Sequence, residues 1–319
     1  MRAALRARIG ALSAAELDTA RWLNPGAARW LGEGRDSAAW RVGAYVVRVP
    51  KHARAWAALE REAALLPALA ARGVPFVTPT AEVVRGEDGA LVAAVHRYVD
   101  GAPLTRARLA ALRGARRERL ARQLAAFLGA LHAVPLVEAR ALGVAEPELW
   151  DEVYAPLTVA VRPHVGAATA AGLDVLGARF VADAGERRAV RALVHGDIAG
   201  AHLLVDADGA LAGVIDFGDA MIGDPALDFA GLLNDAPRAF LERVLAHYPQ
   251  TIDAGARERA AWYIAVAPLY AVREGVERGD AALLARGRRE LASRVARAVA
   301  AGAGAAGAAG ASGAAGTVH

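Results

Sequence analysis

From about Arg106 onward the chain reads as helix after helix, with one interruption between Leu193 and Asp216. That interruption reads as a short loop and a hairpin: LVHGDIAGAHLLVD, a turn at DADG, then LAGVID. The first half reads differently. WLGEG, SAAWRVG and YVVRVP predict three strands joined by Gly-containing turns, and a helix follows from about Arg54 to Ala71. Two more strands flank GEDG, and VDGAPLT breaks the pattern as a hinge. The order is an α+β one, with a strand-rich half, a hinge, and a helical half that holds a single loop-hairpin element.

At 319 residues the chain is long enough for two lobes and a sizeable core. The reading places one lobe at 1–98, the hinge at 99–102, a helical lobe at 103–300 and an Ala/Gly tail without fixed structure at 301–319. Residues 1–25 read as an amphipathic helix, without the apolar run of a signal peptide or a membrane span. A net charge of +4 and a pI near 9.8 raise the question of a polyanion partner. The arginines of RARLAALRGARRERLARQLAAFLGALHAV, however, fall opposite an apolar stripe at helical spacing and have no aromatics between them to stack bases. That describes a solvated helix face, so neither nucleic acid nor membrane is expected as a partner. The absence of cysteine fits a cytoplasmic setting and excludes thiolate metal sites.

The chemistry concentrates in HGDIAGAHLLVDADGALAGVIDFGDAMIGDPALDF, from His195 to Phe229. Phosphoryl transfer needs a carboxylate that orients the attacking hydroxyl and further groups that hold the cations neutralising the phosphates. Protein kinases take these from an H-x-D-x-x-x-x-N loop and from an Asp at the end of the next hairpin. Here Asp197 supplies the first, His202 stands in the position five residues on, and Asp216 follows nineteen residues after Asp197 (216 − 197). A hairpin of that length returns Asp216 towards the loop. A turn-forming HGD and a strand-capping Asp216 would each be unremarkable alone, and it is their combination that points to a site.

At these residues the sequence resembles the aminoglycoside phosphotransferase family of protein-kinase-like antibiotic kinases, over roughly residues 28 to 280. The resemblance implies a bilobal fold, a small antiparallel-sheet N-lobe and a larger, mainly helical C-lobe. It implies Asp197 as catalytic base and Asp216 as a magnesium ligand. Most relatives carry Asn where this chain has His202. A His there resembles the branches acting on the 2″-hydroxyl of aminoglycosides or the 2′-hydroxyl of macrolides, and an imidazole can ligate a metal. The co-substrate implied is ATP or GTP with Mg2+.

For the nucleotide, Gly32 and Gly34 with Ser37 resemble the family's phosphate loop, where small residues let backbone amides approach phosphates. Aligning YVVRVPK with the kinase V-A-I-K pattern puts Arg48 where Lys is usual, with Lys51 in reserve and Glu62, rather than Glu60, as the acidic partner. Strand alternation predicts Tyr45, Val47 and Val49 on one face and Val46 and Arg48 on the other. Backbone groups near Tyr98 and Val99 are expected at the purine edge. For a polycationic acceptor the candidates are Asp219, the acidic stretch EPELWDE with Glu146, Glu148, Asp151 and Glu152, and Glu274 with Glu277. Trp262, Tyr263 and Tyr270 are candidates to line an apolar trough for a macrolide. The expected function is transfer of the γ-phosphoryl group to an aminoglycoside-type antibiotic, by a monomer. The alternatives are a macrolide 2′-phosphotransferase, a metabolic small-molecule kinase of the same fold, and a non-catalytic nucleotide-binding scaffold.

Overall fold

The computed structural model describes residues 28–85, 89, 91–182 and 190–313. The helix read at residues 1–25 lies outside them. The chain divides into two compact units. The first comprises residues 1–145, 193–221 and 235–250, and the second residues 146–192, 222–234 and 251–319.

The first unit opens with an antiparallel five-stranded sheet. Its strands are β1 (Arg29–Glu33), β2 (Ser37–Val42), β3 (Tyr45–Pro50), β4 (Thr80–Arg85) and β5 (Leu91–Arg97), ordered β1-β2-β3-β5-β4. Period-two alternation sends Trp40, Val42, Val47, Val49, Ala93 and Val95 into one apolar cluster. The other face meets helix α1 (Ala53–Ala71), where Leu59 packs on Ala94. Helix α1 buries Ala55, Leu59, Glu62, Leu65, Leu66 and Leu69, a stripe at helical spacing in which Glu62 is the single charge. His52 caps its start, Nδ1 accepting from the Ala55 amide at 3.2 Å.

After the hinge come β6 (Ala102–Pro103), α2 (Arg106–Ala111), α3 (Gly114–His132) and α4 (Leu136–Ala141). Helix α3 turns Leu120, Leu124, Phe127, Leu128 and Leu131 inward. Two of its arginines face outward onto acids: Arg116 meets Asp208 at 3.1 Å and Arg122 meets Glu118 at 3.3 Å. The hairpin read from sequence follows strand β7 (Ala192–Val194). It consists of β8 (Leu203–Val205) and β9 (Leu211–Val214), with β6 completing a three-stranded sheet in the order β6-β8-β9.

In the second unit a π-helical turn at Leu149–Tyr154 leads into α5 (Ala155–Val161) and α6 (Ala167–Ala182). Beyond strand β10 (Met221–Gly223) lies α7 (Ala226–Asp235), and past the first unit's α8 (Arg238–Leu245) come α9 (Ala256–Val266), α10 (Pro268–Glu277) and α11 (Ala281–Gly313). Its core is aromatic: Phe180 stacks on Trp262 at 4.0 Å, and Tyr154 meets Trp262 edge-on at 4.9 Å. Beside it Arg259 is buried between Asp224 (2.6 Å) and Asp253 (2.7 Å). Tyr263 adds a hydroxyl to Asp224 at 3.1 Å. Helix α11 carries the backbone through the Ala/Gly segment as far as Gly313, where composition suggested an irregular tail from 301. Alanine's high helix propensity supplies the reason. Among the described residues no helix is long and apolar enough to cross a membrane.

Candidate active site

The first unit contains Asp197, His202, Asp216 and Arg48, and it brings them together. Strand β7 delivers the chain to His195, which is wholly buried. Its Nδ1 accepts from the Asp197 amide at 3.3 Å, so the proton lies on Nε2, which donates to the Ile215 carbonyl at 3.1 Å. One imidazole thus ties the loop bearing Asp197 to the strand end bearing Asp216. Gly196 between them has φ 80°, and a Cβ there would stand 2.4 Å from the Asp219 carbonyl oxygen. Only glycine satisfies both constraints.

His202 closes the loop. Its Nδ1 lies 2.8 Å from the Asp197 carbonyl oxygen, an acceptor, so Nδ1 carries the proton. The lone pair on Nε2 then faces Asp216, with Oδ2 3.6 Å away. The Asp197 carboxylate is 3.5 Å from the same ring and half exposed. Asp216 itself has φ 68°, a left-handed conformation unusual for a residue with a side chain.

Arg48 bridges two acids. Nη1 meets Glu62 at 2.5 Å, Nη2 meets Asp216 at 2.9 Å, and Nη2 also reaches the Ser37 hydroxyl at 3.4 Å. Burial works against the guanidinium's charge, but Glu62 and then Asp216 outweigh it and hold its pKa above the ordinary value. Asp216 loses solvation too, yet the Arg48 guanidinium keeps its carboxyl below the usual range. Burial pushes the Glu62 carboxyl up, against the pull of Arg48.

Lys51, the only lysine in the sequence, stands apart from this group. Its ammonium meets Glu33 at 3.4 Å and the Gly34 carbonyl at 3.1 Å, pinning the β1–β2 turn. Gly32 sits at a bulge with φ 155°, and a Cβ at Gly32 or Gly34 would meet no atom within 4 Å. Glu60 pairs with Arg85 at 2.5 Å, away from Arg48. Of the backbone groups near Tyr98 and Val99 expected at a purine edge, the Tyr98 amide already donates to the Ala44 carbonyl at 2.8 Å. Its ring lies under the Arg41 guanidinium at 3.8 Å. Val99 rests against Gly213 of β9, where a Cβ would come within 2.9 Å of it.

Of the substrate candidates, Asp219 belongs to this unit. It is half exposed, its pKa raised by lost solvation and by Asp197, with the Arg35 guanidinium 3.8 Å away. Glu152, Glu274 and Tyr270 belong to the second unit. There Glu152 accepts from the Glu148 amide at 2.9 Å, Glu274 pairs with Arg278 at 3.0 Å, and Tyr270 meets the Tyr154 ring edge-on. Sequence reading left His195 and Arg35 without roles. The first was legible as the opening residue of HGD and the second as the cation within LGEGRDS.

Two donors, the Nε2 lone pair of His202 and the Asp216 carboxylate, fit one divalent cation. Among the described residues no group of three or more such side chains is arranged for a metal. An octahedral cation here would complete its shell with phosphate oxygens and water, as magnesium sites in phosphoryl-transfer enzymes do. A half-exposed carboxylate, two groups able to ligate a cation and an arginine fixed beside them are the kinds of group that phosphoryl transfer uses.

Residues 28–263 match the model of the phosphotransferase enzyme family. A GDP complex of aminoglycoside 2'-phosphotransferase-IIIa superposes with a TM-score of 0.77 at 25% identity, over 88% of this chain and 99% of that one. An APH(2") structure bound to GDP and kanamycin gives 0.77 at 27%, over 85% and 93%. Macrolide 2'-phosphotransferase type I, at 18% identity and a TM-score of 0.62 over 88% and 98%, shares the fold. An uncharacterized protein of Bacillus subtilis (strain 168) is 30% identical over 131 residues, and the match spans 40% of this chain and 42% of that protein.

Proposed function

Since the chain belongs to the phosphotransferase enzyme family, we propose that it moves the γ-phosphoryl group of ATP or GTP to a hydroxyl of an aminoglycoside-type antibiotic. The observation that carries this is the meeting of Arg48, Asp216, His202 and Asp197 within hydrogen-bonding or near-contact distances. In this reading Asp197 accepts the hydrogen bond of the acceptor hydroxyl and orients its oxygen on the γ-phosphorus. It takes the proton as the new O–P bond forms and the bond to the β,γ-bridging oxygen breaks, releasing the nucleoside diphosphate. Arg48, braced from behind by Glu62, offers its guanidinium to the phosphates. Asp216 and His202 would hold Mg2+, which when bound neutralises charge on the phosphate oxygens.

Ser37 and the turn around Gly32 and Gly34 face the same phosphates, and Lys51 keeps that turn in place. Asp219, half exposed and three residues beyond Asp216, is the acid we assign to an ammonium group of the acceptor. Catalysis of this kind is chiefly positioning and electrostatics, which suits residues already held by His195 and Glu62. The nucleotide and antibiotic bound by the similar aminoglycoside phosphotransferases support the reading.

The test is magnesium-dependent nucleotide consumption by the purified chain across panels of aminoglycosides, macrolides and small amino alcohols, with Asp197→Ala as control. Stimulation by aminoglycosides, lost in the control, is the expected result. Stimulation by macrolides or a metabolite alone moves the acceptor to that class. Nucleotide binding with no transfer to anything makes the chain a scaffold and ends the proposal.

A further inference from the structure

A groove of about 460 Å3 lies wholly within the first unit, and none of the residues assigned above to phosphoryl transfer lines it. One wall is Pro75 and Phe76, between α1 and β4. The other is a stripe on α3 at helical spacing, with Ala115, Arg119, Arg122 and Ala126. Phe76 has φ 62°, a left-handed backbone that an aromatic residue adopts only at a cost. Its carbonyl accepts from the Val214 amide at 2.9 Å, and Val77 bridges to Val214 in parallel register. On the α3 wall, Gln123 accepts through Oε1 from the Leu211 amide at 3.0 Å. Leu211 and Val214 are the two ends of β9. Both walls are thus tied to one short strand, and the groove is formed before any ligand arrives.

The polar lining is made of donors. Glu118 is its single acid, and the Glu118 oxygens already receive Arg243 at 2.9 Å, His247 at 2.5 Å and Arg122 at 3.3 Å. Arg243 and then His247 hold that carboxyl down to about 2, so it stays ionised and engaged. Arg119 donates to a neutral partner, the Asp208 carbonyl oxygen at 3.0 Å. Arg122 engages Glu118 through Nε, and its two terminal nitrogens have no partner among the described residues. Gln123, its oxygen taken, has only amide hydrogens to give. Arginines on a bare helix face are ordinary solvated groups, but these two stand across from an aromatic wall, beside an acid whose charge Arg243 already offsets.

We propose that this groove binds a small carboxylate with a flat apolar body, its ring against Pro75 and Phe76 and its carboxylate held by Arg119 and Arg122. Guanidinium forks meet a carboxylate through paired, charge-assisted hydrogen bonds. The volume falls in the range of small-molecule sites, about 300–1,000 Å3. Burial of the ring supplies affinity, and the charged bonds supply the choice of an acid over its neutral analogues. The site needs nothing from the phosphoryl-transfer reading and stands or falls without it.

The experiment titrates 2-naphthoate into the isotope-labelled full chain and follows backbone amide shifts by nuclear magnetic resonance. 2-Naphthamide supplies the ring without the charge, and acetate the charge without the ring. Naphthoate should bind about ten-fold more tightly than the amide, the size of one charge-assisted hydrogen bond. Acetate should not saturate over the same range, and the naphthoate shifts should centre on Phe76, Arg119 and Arg122. Arg119→Met/Arg122→Met should bring naphthoate to the affinity of the amide without weakening the amide. Ala126→Trp, at an exposed helix position, should fill the groove and weaken both by about ten-fold or more, with the thermal midpoint unchanged. Equal binding of naphthoate and amide by the wild type overturns the carboxylate assignment, and acetate binding as tightly as naphthoate reduces the site to surface ion pairing. Shifts centred elsewhere, displacement of naphthoate by saturating ATP, or no saturable binding up to millimolar probe likewise reject the groove.

Discussion

Removing Arg48 strands Glu62, and the cost can be worked out in advance. In Arg48→Met the Glu62 carboxylate, 2% exposed, keeps its burial but loses its partner at 2.5 Å. Held as a bare buried charge it would cost about 3–5 kcal/mol. It has another route, which is to take up a proton. From an ordinary value of 4.5, protonation at pH 7 costs about 3 kcal/mol at 1.36 kcal/mol per unit. That route caps the penalty, and the cap falls by about 1.4 kcal/mol for each unit of pH below 7. The sign follows from the direction of the shift: a carboxyl raised above its unfolded value favours folding at low pH and opposes it as pH rises. Urea unfolding followed by circular dichroism at pH 5, 6 and 7 should therefore show a deficit that shrinks with acidity. The double variant Arg48→Met/Glu62→Gln should recover most of the loss at pH 7 without recovering nucleotide affinity. Lys51→Ala, at an exposed ion pair, should shift stability by less than about 0.5 kcal/mol. A deficit that ignores pH, or that survives Glu62→Gln, refutes the argument.

Asp197→Asn should lower kcat by roughly 100- to 10,000-fold, the range for a lost general base, with nucleotide affinity unchanged by calorimetry. His202→Ala should weaken Mn2+ binding, read by electron paramagnetic resonance, while His202→Asn, still able to ligate through its side-chain oxygen, should restore part of it; unchanged affinity in His202→Ala removes the imidazole from the cation site. Arg259→Met should cost about 3–5 kcal/mol in urea unfolding, because Asp224, wholly buried, is left charged without its guanidinium. A loss below about 1 kcal/mol would mean that water reaches Asp224 in the variant.

Much of the fold could be read from the sequence because its signals are local. Alternation in Tyr45–Pro50 suffices to put Val47 and Val49 in the core and Arg48 on the far face, since each residue's side follows from its neighbours alone. The HGD loop and the hairpin behind it are likewise contiguous, so Asp197 and Asp216 stand out before any packing is known. The helical stripe of α1 leaves Glu62 as the one charge turned inward, and burial, not composition, separates it from Glu60, which pairs with Arg85. What sequence hides is what register creates. Thr80 and His96 are sixteen residues apart (96 − 80) and become neighbours only through strand pairing. Backbone groups near Tyr98 and Val99 are expected at the purine edge, and nothing local shows that the Ala44 carbonyl arrives to take the Tyr98 amide. Glu152 and Glu274 look like free surface acids in sequence, and each is engaged within its own unit. The helical backbone to Gly313 shows the reverse weakness, since an alanine-rich stretch has helix propensity but no apolar side chains to announce where it would dock.

The left-handed backbone at Asp216 has a consequence for how this chain changes over generations. A side chain in that conformation costs about 1 kcal/mol relative to glycine, so the position taxes the fold for as long as a carboxylate is kept there. On backbone strain alone Asp216→Gly would be favoured, and it is a single-base exchange between Asp and Gly codons. A lineage released from phosphate chemistry therefore has a downhill step open to it at this one residue, whereas one that keeps the chemistry must carry the strain.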